Sequence, residues 1–141
     1  MATIAGLAEV LTPCPVPDVP PATIELAELV HGWGELATAP PADLDDWTRR
    51  HLGELAALET QWLSAAEGET LLHGDINQSN LLIDSAGAVV LIDCAQPVRG
   101  AAWIDIADLV PHLILAGHTP TAAEQAVAGV PTWVTHRTNW F

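Results

Sequence analysis

Lysine is absent from this chain of 141 residues, and four arginines stand against 18 acidic side chains, for a formal net charge of -14. A surface of that sign repels phosphate backbones, so nucleic acid is not an expected partner. It would attract a small cationic molecule, and it also keeps the chain soluble. Tyrosine is missing too, and there is one phenylalanine, which leaves six tryptophans as nearly all of the aromatic mass. The two cysteines, Cys14 and Cys94, are too few for a disulfide framework and show no paired metal spacing. Long apolar runs are lacking. Residues 104–117 come nearest, but Asp105, Asp108 and Pro111 interrupt them, and the stretch is too short to span a bilayer. The opening residues 1–11 carry Glu9 and no basic flank, unlike a signal peptide. These absences predict a cytoplasmic protein that engages neither membrane nor nucleic acid.

What is present is apolar and helix-forming. Half of the residues are hydrophobic, many of them Ala and Leu, and 141 residues suffice for one domain with its own core. Residues 2–11 read as a short helix, followed by a stretch to residue 21 that its prolines hold extended. A helix is expected over 22–31, with Ile24, Leu26, Leu29 and Val30 as its apolar positions and Gly32 and Gly34 as its stop. A longer one is expected over 44–66, capped by Asp43, with Trp47 and Trp62 in the core and Gly68 as its stop. Leu81-Leu82-Ile83 and Val89-Val90-Leu91-Ile92, joined by Asp84-Ser85-Ala86-Gly87, read as a β-hairpin. Helices over 102–116 and from Thr119-Pro120 to Gly129 complete the pattern. The last dozen residues lack a period, and Trp133 and Trp140 there are expected to be exposed. The fold class this predicts is α+β, mainly helical, with a single hairpin.

The polar residues cluster around that hairpin. Asp75 and Asn80 lie on the loop entering its first strand, and Asp93 follows the end of its second. Antiparallel pairing returns the chain, so thirteen residues of separation between Asn80 and Asp93 can close to a few ångströms. Oxygen donors from one Asn and one Asp suit Mg²⁺, which fills its remaining positions with water and phosphate. Asp75 is then free to accept the proton of a substrate hydroxyl. An Asp base, an Asn five residues on and a second, metal-holding Asp form the template of phosphoryl transfer. Any one of these residues alone would more often cap a turn, but their joint spacing is specific.

The same stretch resembles the aminoglycoside phosphotransferase family, which is related to choline kinases and protein kinases. The likeness runs from Leu71-Leu72-His73-Gly74-Asp75 through Asn80 and Val90-Leu91-Ile92-Asp93 to Arg99-Gly100-Ala101-Ala102-Trp103-Ile104-Asp105, and is strongest over 70–110. The resemblance implies a protein-kinase-like C-terminal lobe, with the hairpin carrying the catalytic loop. It implies Asp75 as catalytic base, Asn80 and Asp93 as Mg²⁺ ligands, Asp105 as the residue bracing the loop, and His73 as orienting it. It further implies ATP or GTP as phosphate donor and a small hydroxylated acceptor. Two departures stand out: Ile76-Asn77-Gln78-Ser79 replaces the proline or basic residue often found there, and Cys94 replaces a frequent aromatic.

The family's usual N-terminal lobe supplies a lysine for the nucleotide phosphates, and no lysine exists here. Residues 1–141 therefore read as a C-terminal lobe without its nucleotide-clamping partner and shortened at its far end. Little turnover is then expected of the chain alone, and a catalytically silent lobe that binds metal, ligand or partner is the second reading. Self-association through an exposed apolar patch is expected for the same reason. Other chemistries fit worse. Gly32-Trp33-Gly34-Glu35-Leu36-Ala37 follows a predicted helix rather than a strand, so it is a poor dinucleotide loop. The six histidines make no His-Glu-x-x-His helix, and His73-Gly74-Asp75 lacks the further ligands of a two-metal phosphoesterase.

Overall fold

The computed structural model describes residues 18–134. The expected helix at 2–11, most of the proline stretch and Trp140 lie outside that range. Within it the chain is α+β, and no helix of the described residues is long and apolar enough to cross a membrane.

The first helix is shorter than its apolar spacing suggests. It runs as α1 (Ala22–Glu25), then a 3-10 turn (Ala27–Leu29), and a second helix, α2 (Gly32–Thr38), follows. Gly32 and Gly34 thus begin a helix rather than end one. Glycine is a poor helix former, and α2 has no side-chain cap of its own. Glu59 supplies one from a distance: its two carboxylate oxygens accept the Trp33 N–H at 3.0 Å and the Gly34 N–H at 2.7 Å. A cap 25 residues away is invisible to local spacing.

Glu59 closes α3 (Asp46–Glu59). Its cap is Asp45 and not Asp43: the Asp45 carboxylate accepts the N–H groups of Trp47 and Thr48 and the Thr48 hydroxyl. Those bonds, led by the Thr48 hydroxyl, hold Asp45 below the usual carboxylate range. The expected long helix breaks after Glu59, because Thr60 and Gln61 turn their side chains back onto the Ala57 carbonyl. A single turn, α4 (Trp62–Ala65), resumes beyond. Trp47 is not in the core. It is 55% exposed and stacks on His51 one turn along, with ring centroids 4.4 Å apart.

Four three-residue strands form two separate antiparallel pairs. The expected hairpin is β2 (Leu81–Ile83) against β3 (Val89–Leu91), in register Leu81↔Leu91. Asp84 shapes its turn, accepting N–H bonds from Ala86 and Ala88, and Gly87 takes the left-handed φ of 85°. The second pair goes beyond the single hairpin that spacing predicts: β1 (Thr70–Leu72) meets β4 (Val98–Gly100), with Leu72↔Val98. Gly68 belongs to that crossing rather than to a helix end. A Cβ on Gly68 would fall 2.4 Å from the Gly100 carbonyl oxygen, and one on Gly100 would meet the Ala22 Cβ and a Leu72 methyl at 2.9 Å.

Helix α5 (Ile104–Leu115) continues through Pro111, and α6 (Pro120–Val127) starts on its Thr119 cap. One core joins Ile76 and Val89 to Ile106, Leu109, Val127 and Val130; a second joins Ala22, Ala66, Leu72, Val98 and Ile104. Trp133 packs against the first core, contrary to the exposure expected of it. Helix α5 contributes to both cores, and the loop between β1 and β2 lies over it.

Replacing Glu59 by Ala should leave the first N–H groups of α2 without an acceptor and lower stability by about 1–3 kcal/mol. Urea unfolding measures it, with Glu59→Gln falling between Ala and the parent. An unchanged midpoint in Glu59→Ala would show that water caps α2 equally well.

Candidate functional site: the loop between β1 and β2

The loop after β1 is held from beneath by one carboxylate. Asp105, on the first turn of α5 and 3% exposed, accepts the His73 N–H at 2.8 Å and the Gly74 N–H at 3.1 Å. Gly74 has φ of 78°, and a Cβ there would lie 3.0 Å from the Gln96 carbonyl oxygen. Left-handed backbone and close approach both select glycine. His73 is also buried, and its Nε2 lies 2.9 Å from the Ile92 carbonyl oxygen. A carbonyl only accepts, so Nε2 carries the proton and ties the loop to the end of β3. Ile76 then plunges into the first core, 1% exposed, which turns the flanking Asp75 outward.

Asp75 is exposed, yet its carboxylate is oriented. The Asn80 amide donates to Oδ2 at 3.0 Å and to the Asp75 main-chain oxygen at 2.9 Å. The Asn77 amide donates to Oδ1 at 2.9 Å. Asn80 is buried on the 3-10 turn Gln78–Asn80, and its main-chain oxygen accepts the Ile92 N–H at 3.0 Å. The residue after Ile92 is Asp93, exposed and left-handed at φ 59°. Asp tolerates that conformation better than most side chains.

Of the residues singled out by spacing, the structure therefore joins Asp75 and Asn80 directly. It puts Asp105 beneath His73 and Gly74, and His73 against Ile92. Asp93 is brought near through the backbone alone: no hydrogen bond links its side chain to Asn80 or Asp75 among the described residues. Nor do three or more His, Cys, Asp or Glu side chains gather to hold a metal ion among the described residues. The donors that do fit Mg²⁺ are oxygens. Both of Asn80's amide hydrogen bonds use Nδ2 on acceptors, which leaves Oδ1 facing away from Asp75, and Asp93 adds an exposed carboxylate.

Charge is concentrated beneath and beside the loop. Burial pushes the Asp105 carboxyl above the ordinary carboxylate range, against the pull of the His73 and Gly74 N–H groups and of His73 itself. Asp108, one turn along α5, is also raised, by partial desolvation first and then by the charges of Asp105 and Asp75, with His112 opposing. Desolvation and Asp105 likewise raise the Cys94 thiol, which favours the unreactive protonated form. Asp108 and Asn77 are the two members of this neighbourhood that spacing alone passed over. The signals were there: Asp108 stands three residues from Asp105 on a helix, and Asn77 stands two from Asp75.

The loop is thus pinned by a buried Asp, carries an oriented Asp and an Asn, and is followed by a second Asp past a hairpin. The model of the Phosphotransferase enzyme family, APH, matches residues 1–137. The chain belongs to that family of phosphotransferases. Comparison with curated proteins and with solved structures yields no match.

Two predictions follow from Asp105, which is buried, and from Asp108, whose side chain is exposed on the same helix. In Asp105→Asn, one oxygen and one NH₂ replace two acceptors, so one of the two N–H groups loses its partner. Stability should fall by about 1–3 kcal/mol in urea unfolding. The raised values of Asp105 and Asp108 mean that folding favours their protonated forms. Their contribution is therefore full below the ordinary carboxylate value and is lost as pH rises through the raised ones. Solvent screens the exposed Asp108, so Asp108→Asn should be only slightly more stable than the parent at neutral pH, and the gap should close in acid. Equal stability at both pH values would rule out this burden on Asp108.

Proposed function

We propose that this protein is a small-molecule phosphotransferase of the aminoglycoside type, moving the γ-phosphate of ATP or GTP onto a hydroxyl of a small acceptor. The observation that carries the reading is the oriented Asp75 carboxylate, bonded to Asn80 on a loop that Asp105 pins. In this reading Asp75 accepts the proton of the acceptor hydroxyl as the oxygen attacks phosphorus. His73 and Asp105 touch no substrate; they hold the backbone from which Asp75 projects. Asn80, through Oδ1, and Asp93 would hold Mg²⁺, which when bound supplies neutralising charge for the phosphates. The charge of -14 favours a cationic acceptor over an anionic one. We place the protein in the cytoplasm, where nucleoside triphosphates are available.

A second reading has its own observation, the absence of lysine from the chain. A phosphotransferase usually sets a cation against the nucleotide phosphates, and positioning with charge stabilisation makes up most of this catalysis. Without that cation, the same loop serves as a site that binds metal, ligand or a partner chain without turning over.

Phosphate transfer from ATP and GTP to hydroxylated cationic acceptors, with and without Mg²⁺, separates the two readings. The first expects Mg²⁺-dependent transfer that falls at least 100-fold in Asp75→Asn, with the fold intact by circular dichroism. Transfer that survives Asp75→Asn undiminished would remove Asp75 from the role of base. Nucleotide or Mg²⁺ binding by calorimetry with no transfer to any acceptor would leave the silent reading standing.

A further inference from the structure

The Asp75 carboxylate receives two amides, and the reaction proposed above uses only one of their residues. Asn80 occupies Oδ2 through its Nδ2. Asn77 occupies Oδ1, with its Nδ2 at 2.9 Å. The orientation of Asn77 is dictated from its other end: its Oδ1 receives the Ser79 N–H at 2.9 Å and the Ser79 hydroxyl as well. A backbone N–H can only donate, so the amide end facing Asp75 must be the NH₂. One N–H on each carboxylate oxygen, from two anchored amides, sets both the rotamer and the plane of the carboxylate. Each oxygen keeps further acceptor capacity.

We infer that Asn77, itself locked by Ser79, is a positioning residue for the reaction: it sets the plane in which Asp75 meets the acceptor hydroxyl. This rests on the reading of Asp75 as the base. The competing role is purely local, because Asn77 also caps the 3-10 turn Gln78–Asn80 by accepting the Ser79 N–H. The two roles use opposite ends of one amide: the cap needs Oδ1 and the positioning needs Nδ2. Asn77→Asp separates them. It keeps an oxygen for Ser79, and Asp caps as well as Asn, but it sets a carboxylate oxygen against Asp75 in place of a donor. Asn77→Ala removes both ends.

The experiment has two arms on the full chain. In the first, side-chain amide resonances of Asn77 and Asn80 are followed by nuclear magnetic resonance in the ¹⁵N-labelled parent and in Asp75→Ala. Positioning expects both amide pairs to shift on loss of the carboxylate. An Asn77 pair that stays put while the Asn80 pair moves overturns the inference, and this arm needs no turnover. In the second arm, Asn77→Asp should lower kcat on the order of 10- to 100-fold with acceptor KM within about twofold of the parent. Its circular dichroism should match the parent, and its Ser79 backbone amide should stay hydrogen-bonded, as read by a low temperature coefficient of its shift. A kcat equal to the parent's in Asn77→Asp, beside a loss in Asn77→Ala, would assign the residue to the cap alone and overturn the proposal. Should the parent transfer phosphate to no acceptor, the proposed function falls, and the first arm alone decides whether Asn77 orients Asp75.

Discussion

Two hydrogen bonds from consecutive backbone N–H groups to one buried carboxylate hold the centre of this molecule. Asp105 sits on the first turn of α5 with both oxygens engaged by His73 and Gly74. The residue itself gains little from burial, since desolvation works against its charge. What the arrangement provides is placement. The carboxylate converts the position of a helix into the position of a loop, and the hydrophobic neighbours of Asp105 on that helix, Ile104 and Ile106, anchor the helix in both cores. Ile76 ties the same loop to the first core from its other side. Asp75 and Asn77 project from a segment fixed at both ends, which is why partly exposed side chains can still be oriented.

The second layer of organisation is the hairpin. Its register places the Asn80 carbonyl on the Ile92 N–H, and the His73 ring reaches the Ile92 carbonyl. Ile92 is therefore held from both of its backbone groups, immediately before Asp93. The separation of Asn80 from Asp93 is set by main-chain bonds rather than by any side-chain contact between them. A one-residue slip of β2 on β3 would send Asn80 to the opposite face, so the pairing of a few apolar residues specifies the spacing of two polar ones.

Most of the site neighbourhood was legible because it is local. His73, Asp75, Asn80, the hairpin and α5 all fall within residues 73–115, and each element announces itself by spacing, turn residues or helical period. The parts that spacing missed depend on contacts distant in the chain. The cap on α2 comes from Glu59, so Gly32 and Gly34, which read locally as a stop, form a start. The β1–β4 pair joins three-residue strands 26 positions apart, too short for alternation to reveal. Trp47 followed the helical period faithfully and is exposed all the same, because α3 buries only Leu52 fully. Periodicity reports which face is apolar and says nothing of whether another element covers it.

The crossing of Gly68 over Gly100 bears on how the centre can vary over time. Elsewhere in a core, side chains act as cushions: a methylene lost here is offset by a rotamer change there. At this crossing backbone lies on backbone, with a carbonyl where a Cβ would have to go. No packing layer stands between the two strands of chain to absorb a change. The ladder that launches the His73 loop is thus closely packed at both glycines, Gly68 against the backbone at Gly100 and Gly100 against Ala22 and Leu72. Exposed side chains on α2 and α3 have room around them, whereas at these two positions, chemically the plainest in the chain, even one added methyl has nowhere to go.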